Sequence, residues 1–303
     1  MKTIIKYFQA ILILLLTDSV GAQVSTDKNF ILTVIPKQPG MHAPENINNL
    51  PPHQKAGSID YMDGLGRKIQ TVIPYGSTES ADIVTPIKYD QYGRIVEQYL
   101  PYVSADNPVK YRDDWSTQQP LFYGSVASSN NDLPDNHPYG INIYDNSPLN
   151  RVISTFAPGD DWAGSQGNSP ERSVNTLYTI NSDEDKVENW ELDYSLPFPT
   201  PVIGYYRFVK GDLFKTVSTD EHGMQTVEFK DKNGNIILKK VQLENAVSGD
   251  YPGWLCTYYV YDNLGRLRFV LPPQLTKILV SQYNWQLNAN LIYEYCFWYI
   301  YDD

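Results

Sequence analysis

The chain has few of the residues that form metal and nucleophilic sites. Its 303 residues include 2 cysteines and 4 histidines, and His42, His53, His137 and His222 lie far apart in loop-like stretches. A zinc site requires several such ligands at close spacing, so we expect neither a metal nor any other cofactor. The sequence also lacks a Gly-x-Ser-x-Gly elbow and a glycine-rich phosphate loop. It therefore predicts no catalytic residue and no enzymatic activity.

Basic residues are scarce as well. The chain has 24 lysines and arginines against 35 aspartates and glutamates, which gives a formal net charge of −11. Nucleic acids and anionic membrane surfaces both require a basic protein face, so neither is expected as a primary partner. An acidic balance mainly favours solubility and does not identify a positively charged partner.

Long apolar runs are missing after the N-terminus. The apolar run at residues 10–16 follows Lys2 and Lys6 and precedes small residues, which is the pattern of a secretory signal peptide cleaved before Gln23. A membrane anchor is the alternative, but the run is too short to span a bilayer comfortably. We expect residues 1–22 to be removed and the mature protein to be exported, either secreted or associated with the cell surface, with no membrane span.

Helical periodicity is also rare. The best candidate is residues 275–291, and residues 104–140 are polar and irregular. Aromatic residues make up 13% of the chain, with 24 tyrosines, and 21 prolines and 19 glycines are spread along it. Tyrosine suits half-exposed strands, and dispersed proline and glycine suit many turns. We predict a mainly β fold with long loops and one helix near 275–291.

The chain does contain a recurring phrase: an aromatic residue, an acid, two or three variable residues, glycine and usually arginine. Three full copies lie at residues 61–67, 89–94 and 261–266, and a copy at 229–235 lacks the arginine. A further copy begins at Tyr301, and residues 144–151 form a degenerate copy. The residues that we assign to the turns are Asp63, Gly66, Arg67, Asp90, Gly93, Arg94, Gly234, Asp262, Gly265 and Arg266.

Each part of the phrase has a physical role in a hairpin. Aromatic residues favour a strand, an acid at the start of a turn accepts hydrogen bonds from the backbone that follows, and glycine supplies a positive φ. A single hairpin is marginally stable in water. The repetition therefore predicts stacked antiparallel hairpins in a curved, spiralling sheet that grows by addition.

The charged residues of the phrase have a second interpretation. Asp63, Asp90 and Asp262 could act as metal ligands or as acid–base groups, and the arginines could bind a substrate. The position of each acid at a turn already explains it, and structural pairing or stacking is the commoner use of such arginines. We favour the structural role.

The two cysteines occupy equivalent places in successive copies. Cys256 lies five residues before Tyr261, and Cys296 lies five residues before Tyr301. Export allows a disulfide between them, although such a bridge demands close cross-strand geometry. The alternative is that both are small buried hydrophobic residues. A nucleophilic cysteine is not expected, because no histidine lies nearby in sequence.

The phrase Tyr-Asp-x-x-Gly-Arg resembles the signature of the RHS, or YD-repeat, superfamily. The intervening stretches 59–67, 82–90, 147–151, 157–159 and 213–217 are similar to the N-terminal region of one subfamily, which comprises exported bacterial RHS-repeat proteins with an N-terminal domain of unknown function. The resemblance covers residues 25–303.

The resemblance implies an architecture and partners. Members of the superfamily build a spiralling β-sheet that can close into a shell, and in many the shell encloses a variable C-terminal toxin. We therefore expect a signal peptide at 1–22, an extended arm at 23–57, a β-rich domain of unknown function at 58–201 and the start of the YD-repeat sheet at 202–303. The phrase is cut at Asp303, so the expected partners are further repeats and an effector of the same protein, as in polymorphic toxin systems.

Three functions remain open at this level. The first is a non-enzymatic structural segment of an RHS-type shell that contains or delivers an effector. The second is a cell-surface adhesion module in which exposed aromatic side chains stack on carbohydrate. The third is a hydrolase whose carboxylates come from distant loops.

Overall fold

The computed structural model describes residues 24–25, 27–37, 50–106, 108–130, 135–163, 172–195, 198–244, 247 and 250–302, with only the backbone at 52 and 125–130. The predicted signal peptide lies outside these residues. The described chain is mainly β, built from antiparallel strand pairs, so the predicted fold class is confirmed. No helix within the described ranges is long and apolar enough to cross a membrane.

The described residues form two compact units. Unit 1 lies within 1–150 and 155–171, and unit 2 lies within 151–154 and 172–303. The expected domain boundary at 201/202 stays a prediction. The strands are β1 (Asn29–Pro36), β2 (Lys55–Met62), β3 (Lys68–Ile73), β4 (Asp82–Tyr89), β5 (Ile95–Tyr99), β6 (Tyr102–Ser104), β7 (Tyr139–Tyr144), β8 (Val152–Phe156), β9 (Ser173–Ile180), β10 (Trp190–Asp193), β11 (Thr200–Ile203), β12 (Phe214–Thr219), β13 (Gln225–Lys230), β14 (Ile236–Gln242), β15 (Trp254–Tyr261), β16 (Leu267–Leu271) and β17 (Phe297–Trp298).

Unit 1 is a meander in which sequence neighbours pair. Strands β1 to β5 pair in chain order, β7 pairs with β5, and β6 pairs with β4. The expected arm at 23–57 thus contributes β1, which pairs along its whole length with β2. One face of the sheet is packed, as the two-residue period of a strand requires. Its buried side chains are Ile59, Tyr61, Val72, Val84 and Tyr102.

A helix covers this packed face. Helix α1 (Trp115–Asn130) contacts the core through Trp115, Phe122 and Tyr123. The sequence predicts an irregular stretch at 104–140, and that prediction is wrong for the helical part. The helix contains Pro120 and several residues of low helix propensity, so burial of its aromatic side chains stabilises it more than local preference does.

Unit 2 continues the same pattern of sequential hairpins. Strands β9, β12, β13, β14, β15, β16 and β17 pair in that order, while β10 and β11 form a separate two-stranded sheet. Its core is rich in aromatic residues and contains Phe229, Tyr258, Phe269 and Trp285.

The helix predicted at 275–291 is interrupted, so that prediction needs correction. Helix α2 (Pro273–Ile278) continues into a π-helical turn (Leu279–Tyr283) and stops where Asn284 and Trp285 adopt φ of 44° and 65°. Helix α3 (Ala289–Tyr295) then starts after Asn288, whose side chain accepts a hydrogen bond from the N–H of Leu291 at 3.0 Å. The break places the Trp285 ring 4.8 Å from that of Tyr251, and this aromatic packing decides where the helix ends.

Candidate functional site

The turns of the recurring phrase share one geometry. In five described turns, the acid donates its N–H to the carbonyl of the residue four positions later at 2.9–3.0 Å, and the glycine donates to the carbonyl of the acid at 2.9–3.1 Å. The glycines have φ between 74° and 89°, a region that other residues enter only with strain. The acids are Asp63, Asp90, Asp220, Asp231 and Asp262, and the glycines are Gly66, Gly93, Gly223, Gly234 and Gly265.

The side chain of the acid adds further hydrogen bonds to each turn. At Asp262, Oδ1 accepts hydrogen bonds from the N–H groups of Leu264 at 3.0 Å and Arg266 at 2.9 Å. The register of β15 and β16 shifts beside this turn, between Val260 and Tyr261. A turn with a left-handed residue next to a shifted register is a hairpin with a β-bulge. The acid therefore satisfies backbone donors that the bulge leaves unpaired.

The arginine of each full copy binds the second carboxylate oxygen of the acid. The Nε atoms of Arg67, Arg94 and Arg266 donate to Oδ2 of the acid four residues earlier at 2.7, 2.7 and 2.8 Å. In the copy without arginine, Asn235 donates to Asp231 at 3.0 Å instead. The side chain at this position completes the turn.

These contacts lower the pKa of the turn acids. At Asp63 the backbone N–H of Arg67 is the main cause, and its guanidinium adds to it. At Asp90 and Asp262 desolvation opposes ionisation, but the backbone N–H and the guanidinium of the arginine outweigh it, so the pKa is lowered. A carboxylate with a lowered pKa and bonded oxygens is a poor general base near neutral pH, which agrees with a structural role.

The arginine of each full copy also contacts the next copy of the phrase. The guanidinium of Arg67 lies over the ring of Tyr89, with its carbon 4.7 Å from the ring centre. The same contact joins Arg94 to Tyr144 at 4.5 Å and Arg266 to Tyr301 at 5.1 Å, and it joins Arg151 to Tyr178 of β9, which lies outside the copies, at 4.9 Å. We call these four cation–π pairs the arginine–tyrosine ladder.

The tyrosine hydroxyls of the ladder make a second contact at the same place. Each donates to the carbonyl of the residue that follows the arginine: Tyr89 to Lys68 at 2.8 Å, Tyr144 to Ile95 at 2.9 Å, Tyr178 to Val152 at 3.3 Å and Tyr301 to Leu267 at 2.7 Å. Tyr261 donates likewise to Ile236, which follows Asn235, at 3.2 Å. The three full copies are thus each joined to the next copy by side chains as well as by strand pairing.

Close approach of two copies gives one glycine an additional constraint. An added Cβ on Gly93 would lie 2.6 Å from Nη1 of Arg67. Gly93 also has φ of 79°. A side chain at this position would therefore require both a left-handed backbone and a shift of the Arg67 guanidinium.

Two turns extend the set beyond the motif seen in the sequence. The turn at Asp220 has the same hydrogen bonds, from His222 at 2.9 Å and Met224 at 2.8 Å, but it lacks both the aromatic residue and the arginine. In the degenerate copy, Asn150 adopts φ of 53° just before Arg151, so it takes the place of the glycine. The Asp-x-x-Gly spacing alone is the signal that identifies the Asp220 turn.

The two cysteines are free and buried in the structure, so the disulfide interpretation does not fit it. Cys256 lies inside β15, whereas Cys296 follows α3 and donates its N–H to Ile292 at 3.0 Å. Their equivalent places in the sequence are therefore not equivalent in structure. Desolvation raises the pKa of Cys256 to about 11 and that of Cys296 to about 12, so both thiols are neutral at ordinary pH.

An ion pair inside unit 1 was not apparent from the sequence. Nη2 of Arg112 lies 3.0 Å from Oδ2 of Asp82, and both side chains are 1% exposed. Asp82 also accepts hydrogen bonds from the N–H groups of Val109 at 2.6 Å and Tyr75 at 3.1 Å. These bonds tie two loops to β4, so the pair acts in packing. Among the described residues, no cluster of His, Cys, Asp and Glu has the arrangement of a metal site.

Comparison with known proteins gives limited matches. A family model for a domain of unknown function, DUF6443, matches residues 33–176, slightly less than half of the chain. No curated protein matches the chain. Crystal structures of TcdB2-TccC3-TEV and TcdB2-TccC3-Cdc42 are similar to 84% of this chain, at 18% and 17% sequence identity with TM-scores of 0.47 and 0.45. Each match covers 10% of the other chain, so this chain spans about a tenth of their length.

Proposed function

We propose that this chain is a non-enzymatic structural segment of an exported RHS-repeat protein, part of a β-shell that contains or delivers a C-terminal effector. The observation that carries the proposal is the arginine–tyrosine ladder. The ladder stabilises growth of a sheet by addition, because the hairpin that follows a full copy meets the arginine of that copy and the carbonyl of the next residue.

The C-terminal edge of unit 2 supports continuation of the sheet. Tyr301 is already held by the Arg266 guanidinium and the Leu267 carbonyl, and the apolar side chains of Phe297 and Ile300 are 64% and 71% exposed. An exposed apolar edge strand favours pairing with another strand. In our proposal, the next hairpin of the same protein covers it.

The test is to express the protein as its gene encodes it and to determine its architecture by cryo-electron microscopy. We expect a closed β-shell with this chain in its wall and a C-terminal block that resists added protease. The matched variant Arg266→Ala, which weakens one junction, should make that block more sensitive to protease. An open sheet, or a C-terminal block cleaved as fast as a free peptide, would contradict the proposal.

A second candidate function is binding of cell-surface glycans. The rings of Tyr205 and Tyr206 are 88% and 74% exposed and lie 4.5 Å apart. Exposed aromatic rings of this kind can stack on sugars. Retention on a glycan column that is lost in Tyr205→Ala and kept in Tyr92→Ala, which removes an exposed tyrosine in a turn, would favour this function. Equal behaviour of both variants would argue against it.

A further inference from the structure

The turn of the copy at 229–235 differs chemically from the other turns of this type. It places Asn233 directly before Gly234, and this is the only Asn-Gly pair in the chain. In the other turns the residue before the glycine is Leu65, Tyr92, His222 or Leu264. An asparagine followed by glycine is prone to spontaneous cyclisation, because glycine has no side chain that hinders attack by its backbone nitrogen.

The cyclisation changes the Asn233 side chain with no reagent other than water. The backbone nitrogen of Gly234 attacks Cγ of Asn233 and forms a C–N bond, while the bond from Cγ to the amide nitrogen breaks. Ammonia leaves with the proton of the Gly234 N–H, and a succinimide ring remains. Water then opens one of the imide bonds, and the product is aspartate or isoaspartate.

The pair lies where this reaction has room to occur. Asn233 and Gly234 are both exposed to solvent. A Cβ built on Gly234 would meet no atom within 4 Å, so nothing packs over the glycine. Water can therefore reach the succinimide, and the ring has space to form once the backbone is free to rotate.

The closed turn opposes the cyclisation. The N–H of Gly234 donates to the carbonyl of Asp231 at 3.1 Å, and Oδ1 of Asp231 accepts from the N–H groups of Asn233 and Asn235 at 2.9 and 2.8 Å. A three-residue hairpin loop that ends in a left-handed glycine is built on a type I turn. The residue before that glycine then has ψ of about 0°, which directs the next nitrogen away from Cβ and Cγ. Ring closure therefore requires these hydrogen bonds to break.

We propose that Asn233 is a modification site that the closed turn protects and that is converted to aspartate or isoaspartate when the β13–β14 hairpin opens. Local opening of a hairpin is reversible, whereas the loss of ammonia is not. Isoaspartate adds a side-chain carbon to the backbone, and both products place a second carboxylate near that of Asp231. The modified turn therefore closes less well, so an opening becomes permanent. This site is independent of the proposed structural role of the chain.

The experiment follows the side chain of Asn233 in the full chain. Samples are incubated near neutral pH either folded or in guanidinium chloride, and peptide mass spectrometry detects the gain of one dalton. We expect conversion to be at least about tenfold faster in denaturant, which corresponds to an opening free energy of about 1.4 kcal/mol or more. Asn263, which is followed by Leu264, should keep its amide under both conditions and is the internal control.

Variants assign the protection to the turn. Asp231→Ala removes the acceptor of the Asn233 and Asn235 N–H groups and should speed conversion in the folded chain about fivefold, the effect of one net hydrogen bond. Asn235→Arg, which supplies the arginine of the full copies, should slow it. In denaturant both variants should convert at the rate of the parent. Thermal unfolding checks that each variant is folded.

A further variant tests the consequence of the modification. Parent chain aged in denaturant and refolded should unfold at a lower urea concentration than fresh chain. Asn233→Leu, with the residue that the Asp262 turn has at this place, should show neither the mass gain nor this change.

The opposite results would overturn the proposal. These are equal conversion rates in the folded and denatured parent, no conversion in denaturant, a folded Asp231→Ala that converts as slowly as the parent, or an aged parent as stable as fresh chain.

Discussion

The guanidinium carbon of Arg94 lies 4.5 Å from the centre of the Tyr144 ring. The hydroxyl of the same tyrosine donates to the carbonyl of Ile95, the residue after Arg94, at 2.9 Å. Arg94 also forms an ion pair with Asp90 of its own turn, with Nε 2.7 Å from Oδ2. One arginine therefore stabilises its own hairpin and the junction with the next copy.

The copy without arginine allows this role to be tested by a gain of stability. Asn235→Arg should place a guanidinium on Asp231 and over the ring of Tyr261, whose hydroxyl already donates to Ile236. We expect the free energy of unfolding to rise by about 0.5–1 kcal/mol, measured by urea denaturation. Asn235→Gln is the control for side-chain length without charge. A variant no more stable than this control would show that the ladder contact contributes nothing there.

Two turn glycines should respond differently to the same substitution. Gly265 has φ of 74° and open space around its Cα, so Gly265→Ala should cost only the left-handed backbone strain of about 1–2 kcal/mol. Gly93→Ala should cost more, because the new Cβ also meets Arg67. Adding Arg67→Ala should recover the excess. Equal losses for both alanine variants in denaturant titrations would contradict the contact between copies.

The turn acid should be replaceable when its acceptor is kept. Asp262→Asn retains an oxygen for the N–H groups of Leu264 and Arg266, so it should cost less than about 1 kcal/mol. Gly265→Val should cost on the order of 1–3 kcal/mol or more. Thermal unfolding of both variants beside the parent provides the comparison. If Asp262→Asn instead left folding intact and abolished an activity of the whole protein, the carboxylate would be catalytic.

Acid should weaken these turns. The pKa of Asp63, Asp90 and Asp262 is lowered in the folded chain, so their contribution to stability is complete above the unfolded pKa, about 3.9. It is lost as the pH falls through the folded values. Urea titrations between pH 6 and pH 2 should show this loss, and Asp262→Asn should reduce it. A loss of the same size in parent and variant would contradict the assignment at Asp262.

Alkali should also destabilise the protein. Desolvation raises the pKa of the buried tyrosines Tyr61, Tyr102 and Tyr258 and of the partly buried Tyr251 above the ordinary value of 10.0. The contribution of these neutral hydroxyls to folding stability is complete below pH 10.0. It is lost as the pH rises towards their pKa values in the folded protein, because the tyrosines of the unfolded chain ionise first. Absorbance at about 295 nm should therefore report a late, cooperative ionisation together with unfolding. Titration of all tyrosines near their ordinary pKa with the fold intact would contradict their burial.

The cysteines should react as free but protected thiols. Desolvation raises the pKa of Cys256 to about 11 and that of Cys296 to about 12, so little thiolate is present at pH 8. A disulfide-exchange reagent should react slowly with the folded protein and release two equivalents per chain in denaturant. No release in denaturant without a reductant would indicate the disulfide that the sequence also allows.

The sequence by itself specifies the hairpin turns and the strand content of this protein. The acid, the glycine and the arginine of a turn lie within four residues of one another, so their hydrogen bonds follow from spacing and from the φ that glycine permits. Strand content follows in the same way from the aromatic residues and turns. The pattern indicates the Asp220 turn and the turn at Asn150 less clearly. The first lacks the aromatic residue and the arginine, and the second has Asn150 in place of glycine.

Only the tertiary structure decided the contacts between copies. Arg94 and Tyr144 are separated in sequence by α1 and its loops, and no fixed spacing joins an arginine to the tyrosine of the next copy. Packing also decided the local structure in three places where propensity is weak or ambiguous. Aromatic burial stabilises α1, Trp285 interrupts the helix predicted at 275–291, and Cys296 lies at the end of a helix instead of within a strand. In each case the free energy comes from burial against residues distant in the chain, which a local pattern does not contain.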